Sequence, residues 1–497
     1  MRLHVVEPSH AHFEADSCLV IPVYEEDEAN FGGIATDTDR GTLRGLQLGK
    51  QITGKAQETY YFPTPNSAYG GILIVGMGQP NHFNAEVLRR AAGKACAVLC
   101  ANRHGHVVLD AASRDAIPVE AFVEGVMLGQ YDFNPYKKPE TAPTVKVDEI
   151  TVLAQSEAGL EDLRTGCAHT VLACQNANWA RDLANTPPND LTPQALAAQA
   201  QAMAKQIGCD CAIFDENDLR EHEMRGILAV AQGSAEPPRL ILLEYKPENP
   251  QRTVALVGKG VTFDTGGVSI KSGPGMHEMK YDMCGAAAVL GAMKTIVQLK
   301  APVHMICAVP TADNKTGPAA YVPGDIIRMF NGKTVEVHNT DAEGRMLLAD
   351  TLAYVEKTYR PDAIVDVATL TGAVIVTLGH FAAGLFTNSE SLAAELDLAA
   401  AASGERLWPL PLWDDYADLL KGVHADLCNI GPRGEAASIT AACFLKEFIE
   451  NTPWAHIDIA GTAWDVKNAP YWDKDHATGF GVRLLSQWIL EETREIG

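Results

Sequence analysis

Short apolar runs punctuated by glycine and polar residues set the pattern of this chain, and their character changes about a third of the way along. In the first third, Cys18 to Val23 and Gly71 to Val75 are β-rich runs of strand length, whereas Leu88 to Leu99 and Ile117 to Leu128 carry Ala and other apolar residues in helix-like stretches. Strands alternating with helices predict a small α/β domain. A Pro-, Lys- and Thr-rich stretch at 131–144 reads as an exposed connection, followed by a strand at Val145 to Leu153. Residues 155–184 hold no proline and keep apolar positions at helical spacing, which predicts a long helix joining two domains and closed by Pro187 and Pro188. A new helix is expected with Thr192 as its cap and Pro193 at its first position.

Beyond that point the pattern becomes a series of nearly unbroken apolar runs: GILAV, RLILLEY, TVALVGKG, HMICAVP, AIVDVATL and AHIDIAG. Such runs, with Ala-rich or amphipathic helical stretches between several of them, predict a buried, mainly parallel sheet covered by helices. The expected fold class is therefore α/β, a small N-terminal α/β domain plus a larger C-terminal α/β domain. The boundaries are drawn at 1–154 for the first domain, 155–188 for the linking helix and 189–497 for the second domain. In such sheets functional groups gather at the carboxyl ends of the strands.

Composition narrows the function. A 497-residue chain with 46% hydrophobic and 21% charged residues is folded and too long for one ordinary core. Its formal charge of -23 repels phosphate backbones and makes nucleic acid a poor default partner. Eleven dilute cysteines, mostly among apolar neighbours, read as reduced, buried thiols of a cytoplasmic protein. The first 23 residues lack the apolar core and cleavage site of a signal peptide. The most apolar window, AIVDVATLTGAVIVTLG, contains Asp366 and several Gly and Thr residues, and reads as buried strand and turn with no membrane span expected.

The chemistry concentrates in two places. The segment 258–285 reads GKGVTFDTGGVSIKSGPGMHEMKYDMCG and places Lys259, Asp264, Lys271 and Asp282 at the edge of an apolar sheet; the stretch NTDAEGR at 339–345 adds Asp341, Glu343 and Arg345. Charges in such positions need partners or metals. Three Asp and one Glu can hold two divalent ions, and two adjacent ions activate water and polarise a carbonyl. Taken singly, each residue has an ordinary reading as a turn cap, a solvated loop charge or half of an ion pair. Jointly they favour metal-assisted hydrolysis.

Other chemistries find less support. No GxxxxGK[ST] or GxGxxG stands in the right context for a nucleotide, and no HExxH occurs. His338 and His456, beside apolar strands, read as histidines satisfying core hydrogen bonds. A thiol hydrolase built on Cys284 or Cys443 has no motif that selects a histidine partner.

The octapeptide NTDAEGRM at 339–346, the loop VGKGVTFDTGGVSIK at 257–271 and the blocks YDMCGAAAVLG, GPRGEAASITAACFL and WAHIDIAGTAW resemble the leucyl aminopeptidase (cytosol aminopeptidase) family, peptidase family M17. The resemblance is strong over most of 175–497, whereas the first third is compatible with it. It implies a two-metal aminopeptidase that acts on short peptides and prefers apolar first residues such as Leu or Met. Its implied ligands for two divalent ions, Mn or Zn, are Lys259, Asp264, Asp282, Asp341 and Glu343, with Asp264 and Glu343 shared by both ions. A lysine ligates only when neutral, so the ions must lower the pKa of Lys259. The implied catalytic residues are Lys271, stabilising the oxyanion, and Arg345, holding a bicarbonate that relays a proton. Met279, Thr369 to Gly372 and Ala460 are implied to line the pocket for the first side chain. A cytoplasmic homohexamer is also implied. Some relatives double as DNA-binding proteins, a role that the acidic charge does not encourage, and a non-catalytic scaffold is opposed by the retention of all seven polar residues.

Overall fold

The computed structural model describes residues 1–14, 16–25, 37–64, 67–112, 117–138, 145–154 and 159–494. These divide into two compact units, Met1–Gln175 with Lys467–Asp473, and Asn176–Val466 with Lys474–Gly497. The helix Leu160–Asn185 contains the point where the chain passes from one unit to the other. The expected linking helix spans 155–188; its first four residues, and positions 139–144 of the expected connection, lie outside the described residues.

Among the described residues, the first unit holds a six-stranded sheet in which Arg2–Val6, Glu149–Leu153, His106–Asp110, Ser17–Val23, Gly71–Gly76 and Thr59–Pro63 follow one another in space. All neighbours are parallel except the last pair. The helices Ala85–Ala101 and Val119–Gly129 pack closely because Gly125 has no side chain: a Cβ there would stand 2.2 Å from the Arg89 carbonyl oxygen.

The second unit is built on a nine-stranded sheet, again counting described residues. The centre of the sheet is parallel: Val303–Asn314, Arg252–Gly258, Ala363–Ala368 and Trp454–Asp458 lie side by side, and Gly260–Asp264 continues Arg252–Gly258 along the same edge of Val303–Asn314. Their side chains are almost all buried, which explains why they read as unbroken apolar runs. Helices Cys284–Gln298 and Gly344–Tyr359 pack against this sheet with nearly all of their residues buried. Antiparallel strands Asp210–Phe214, Arg239–Tyr245 and Ala383–Thr387 extend it, so the sheet is mixed with a parallel centre.

One run departs from expectation. GILAV, expected as a strand, lies in the helix Arg225–Ala231. A five-residue apolar run cannot distinguish a buried strand from a buried helix by periodicity. Here the choice is made by Asp350, whose buried Oδ2 accepts hydrogen bonds from the amides of Gly226 and Ile227 at 2.7 and 3.3 Å and so satisfies the helix start. The Thr192 cap is present, its hydroxyl accepting from the Ala195 amide with Pro193 at the first position. Among the described residues no helix is long and apolar enough to cross a membrane.

Candidate active site

The carboxyl ends of Arg252–Gly258, Gly260–Asp264, Ala363–Ala368 and Trp454–Asp458 lead to one cavity of about 1100 Å³. Lys259 follows the strand Arg252–Gly258, Asp264 ends its own strand, and Asp282 follows a short 3₁₀ turn ahead of the helix that opens at Cys284. Asp341, Glu343 and Arg345 sit in the loop and first turn of the helix Gly344–Tyr359. Lys271 lies in the loop after Asp264. The structure thus brings all seven sequence-expected residues to the lining of one cavity, together with Met279, Thr369 to Gly372 and Ala460.

Two glycines make the approach possible. Gly266, at φ +84°, turns the chain so that its amide donates to Asp264 Oδ1 at 2.8 Å. At Gly344 a Cβ would stand 2.5 Å from Lys259 Cε, so only glycine lets the lysine stem cross this helix start.

The charges pair in two groups. Lys259 Nζ lies 2.7 Å from Asp282 Oδ1 and 2.9 Å from Glu343 Oε1. Lys271 Nζ lies 2.7 Å from Asp264 Oδ2 and also contacts Asp341 Oδ1. Burial alone would strip protons from both lysines, but the surrounding carboxylates outweigh it and push both pKa values up. Burial, and repulsion by neighbouring carboxylates, raise Asp264, Asp282 and Asp341. Glu343 moves the other way: burial opposes its charge, yet Lys259 and Lys271 hold it low.

This donor set fits divalent cations. Four carboxylates face two lysine ammoniums, an excess of negative charge in a largely buried place. Asp264, Asp341 and Glu343 each offer an oxygen within 4.8 Å of the others, and the buried Asp282 Oδ2 has no hydrogen-bond partner. Arg345 is buried as well, which lowers its pKa to about 10. Its Nη1 donates to the Asn429 carbonyl at 2.6 Å, while Nε has no partner.

Several positioning contacts were not legible in the sequence, among them those of Thr369, which was expected only as pocket lining. Asn314 Nδ2 donates to both Asp264 Oδ1 and the Thr340 carbonyl, at 2.8 and 2.9 Å. The Thr369 hydroxyl donates to Asp282 Oδ1 at 2.7 Å, and its carbonyl accepts from Lys259 Nζ at 3.0 Å. The Asp458 carboxylate holds the Leu370 amide and the Thr371 hydroxyl at 3.0 and 2.7 Å. The available signal was position alone: each is a polar residue where an apolar run ends.

The histidine expectations divide. His456 is fully buried, with Nδ1 2.6 Å from Asp366 Oδ1, as read from sequence. His338 is not a core residue; its side chain is 48% exposed and lines the cavity rim. The thiols of Cys284 and Cys443 are both pushed up by burial, the second to about 11, and rest protonated, which removes support for a thiol nucleophile.

Comparison with known proteins agrees with this geometry. Residues 178–486 match the catalytic domain of the cytosol aminopeptidase family, and residues 20–140 match the family's N-terminal domain. A probable cytosol aminopeptidase of Geotalea uraniireducens (strain Rf4) is 44% identical over 84% of this chain and 85% of its own. Another, from Solibacter usitatus (strain Ellin6076), is 41% identical over 99% of both chains. Among solved structures, the bottromycin maturation enzyme BotP in complex with Mn superposes with a TM-score of 0.84 at 32% identity, covering 96% of this chain and 100% of that one. With both of its domains matched, the chain belongs to the cytosol aminopeptidase family and is an enzyme of metallo-aminopeptidase type.

Proposed function

We propose that this enzyme removes single residues from the free amino end of short peptides by two-metal hydrolysis, with Leu or Met favoured at the first position. The observation that carries the reading is the four-carboxylate, two-lysine cluster on the wall of a peptide-sized cavity. Asp264 and Glu343 would serve both ions, with Asp341 completing the ligand set of one and Lys259 and Asp282 that of the other. Carboxylate-rich ligation suits Mn and also Zn, and the BotP relative, solved in complex with Mn, supports the first. Two divalent ions there supply Lewis acidity toward the scissile carbonyl and acidify water near neutral pH.

The chain's own groups do the rest. Lys259 would ligate as the neutral amine, since dications among the carboxylates reverse the field that otherwise keeps its proton. Lys271, on the cavity wall, would donate to the carbonyl oxygen as negative charge builds there. Arg345, with its unpartnered Nε, would hold a planar anion such as bicarbonate, whose chemistry there is proton transfer. Asp282 and its neighbours would receive the substrate's free amine. Met279, Thr369 to Gly372 and Ala460 would seat the first side chain, with modest discrimination between apolar residues.

All these groups lie within 259–460, inside 189–497 as the proposed catalytic domain; 1–154 is proposed as a separate α/β domain joined through 155–188, with Lys467–Asp473 clustering with the first unit. The relatives' names support a cytoplasmic setting, and the charge of -23 speaks against nucleic acid as a partner. A homohexamer with no membrane association is the proposed assembly. Sedimentation equilibrium should return six times the chain mass of 53.4 kDa; a monomer would remove that part of the proposal.

The decisive experiment takes metal-stripped protein, a Leu-initiated tetrapeptide and its N-acetylated twin, with and without added Mn or Zn, and reads products by mass spectrometry. Stepwise loss of the first residue from the free peptide alone, only with metal, is expected. Equal cleavage of both peptides would show that the free amine is not recognised. No cleavage with any metal would overturn the function.

A further inference from the structure

A second cluster of ligand-type side chains lies outside the carboxylate site. Glu336 ends the strand Thr334–Glu336, which pairs in parallel with Leu427–Cys428 so that Glu336 and Cys428 are register partners. His338 follows two residues later. His338 Nε2 lies 3.0 Å from Glu336 Oε2, and Cys428 Sγ lies 3.7 Å from each of those two atoms.

A hydrogen-bonded cluster, a nucleophilic triad and a metal chelate could each bring Cys, His and Glu this close, and the ring nitrogen rules out the triad. A nucleophilic triad needs the imidazole to face the thiol with one nitrogen and the carboxylate with the other. Here the same nitrogen, Nε2, faces both. Three ligand atoms within 3.7 Å of one another also fit a chelate. A tetrahedral zinc ion with ordinary bond lengths separates its N and O ligands by about 3.4 Å, and its S from either by about 3.6 Å. The observed triangle differs from these edges by a few tenths of an ångström.

The remaining features also suit an ion. The other carboxylate oxygen of Glu336 is held by the backbone amides of His424 and Ala425, which leaves Oε2 turned to the cluster. Glu336 and Cys428 are buried, whereas His338 is exposed at the rim of the catalytic cavity and provides an entry side. A thiolate, an imidazole and one carboxylate form a softer set than the catalytic carboxylates, one that prefers Zn over Mn or Mg.

We propose that Glu336, His338 and Cys428 form a separate site for a thiophilic divalent cation of the zinc class, with water as fourth ligand. Binding replaces the thiol proton, which leaves to solvent, by a metal–sulfur bond with no change of oxidation state. The site bears on catalysis through Asn429, next to Cys428. The Asn429 side-chain oxygen accepts from the His338 amide at 2.8 Å, and its carbonyl accepts from Arg345 Nη1 at 2.6 Å. An ion would therefore tie together the two segments on which the Arg345 anchor rests.

The test uses full-length enzyme loaded with Mn, to which Co²⁺ is added as a spectroscopic probe. Carboxylate and amine ligands give no sulfur-to-cobalt charge-transfer band, so that band reports thiolate ligation alone. One such band, saturating at one Co²⁺ per chain and displaced by Zn²⁺, is expected for the natural protein. Cys428→Ser should abolish it. His338→Leu, an exposed substitution that removes no core contact, should weaken Co²⁺ binding at least tenfold. Thermal melting in Zn²⁺ should show an upward Tm shift that both variants lose. No band in the natural protein, or a band unchanged in Cys428→Ser, would overturn the proposal.

Discussion

Replacing Asp264 by asparagine should abolish useful turnover, lowering kcat/KM on the order of a thousandfold, a loss of about 4 kcal/mol of transition-state stabilisation. The side chain is held on both oxygens. Oδ1 accepts from the Gly266 amide and Asn314 Nδ2, both at 2.8 Å, and Oδ2 faces Lys271 at 2.7 Å. An amide placed here keeps the volume but offers one weak neutral ligand atom where the proposed site needs an anionic, shareable one. Its NH₂ group must also point either at the two donors or at the Lys271 ammonium, and neither accepts a hydrogen bond.

The fold should survive, because no apolar contact is removed and the strand ending at Asp264 stays paired with Val303–Asn314. Metal analysis and kinetics on the same preparation distinguish the causes. The expected result is fewer than two ions per chain together with the lost turnover, at an unchanged far-UV circular dichroism spectrum. A variant that keeps two ions and turns over within tenfold of the natural enzyme would remove Asp264 from the ligand set.

Much of this site is legible because charge in an apolar setting is conspicuous. Lys259, Asp264 and Asp282 interrupt runs whose neighbours are buried, and the NTDAEGRM stretch joins three charged residues to the start of a buried helix. Parallel strands covered on both faces likewise announce themselves as unbroken apolar runs. The unread part has a different physical origin. Asn314, Thr369 and Asn429 act through one or two hydrogen bonds each to groups 26 to 110 positions away, and no local pattern records such pairings. GILAV fails as a strand for the same reason, since Asp350, more than a hundred positions further on, caps it as a helix. The return of Lys467–Asp473 to the first unit is a property of tertiary contacts, with no boundary composition to mark it. His338 shows the limit from the other side: an apolar neighbourhood in sequence suggested burial, but the strand ends two residues earlier and leaves its ring on the surface.

Truncating Lys271 should separate chemistry from metal binding. Lys271→Ala is expected to lower kcat by roughly 10²- to 10³-fold, the usual loss for one donor to a developing oxyanion, while two ions remain bound. The separation follows from where the two lysines lie. Lys259 is only 3% exposed, enclosed by Asp282, Glu343 and the Thr369 carbonyl, so its removal damages the cluster itself. Lys271 comes from a loop, its side chain is 24% exposed, and its ammonium reaches Asp264 and Asp341 from the cavity side. Ions at the carboxylates would replace its pairing there and free it to meet substrate. Losing that positive charge should leave the carboxylates no poorer at holding cations, since like-charge repulsion toward an ion falls. KM should therefore change little against kcat, the pattern of an interaction made mainly in the transition state. Lys271→Arg is the informative companion: it keeps charge but places a broader fork, so partial recovery would indicate electrostatic stabilisation and full loss a demand for the compact ammonium. If Lys271→Ala kept normal kcat at full metal content, the oxyanion role would have to pass to the ions alone.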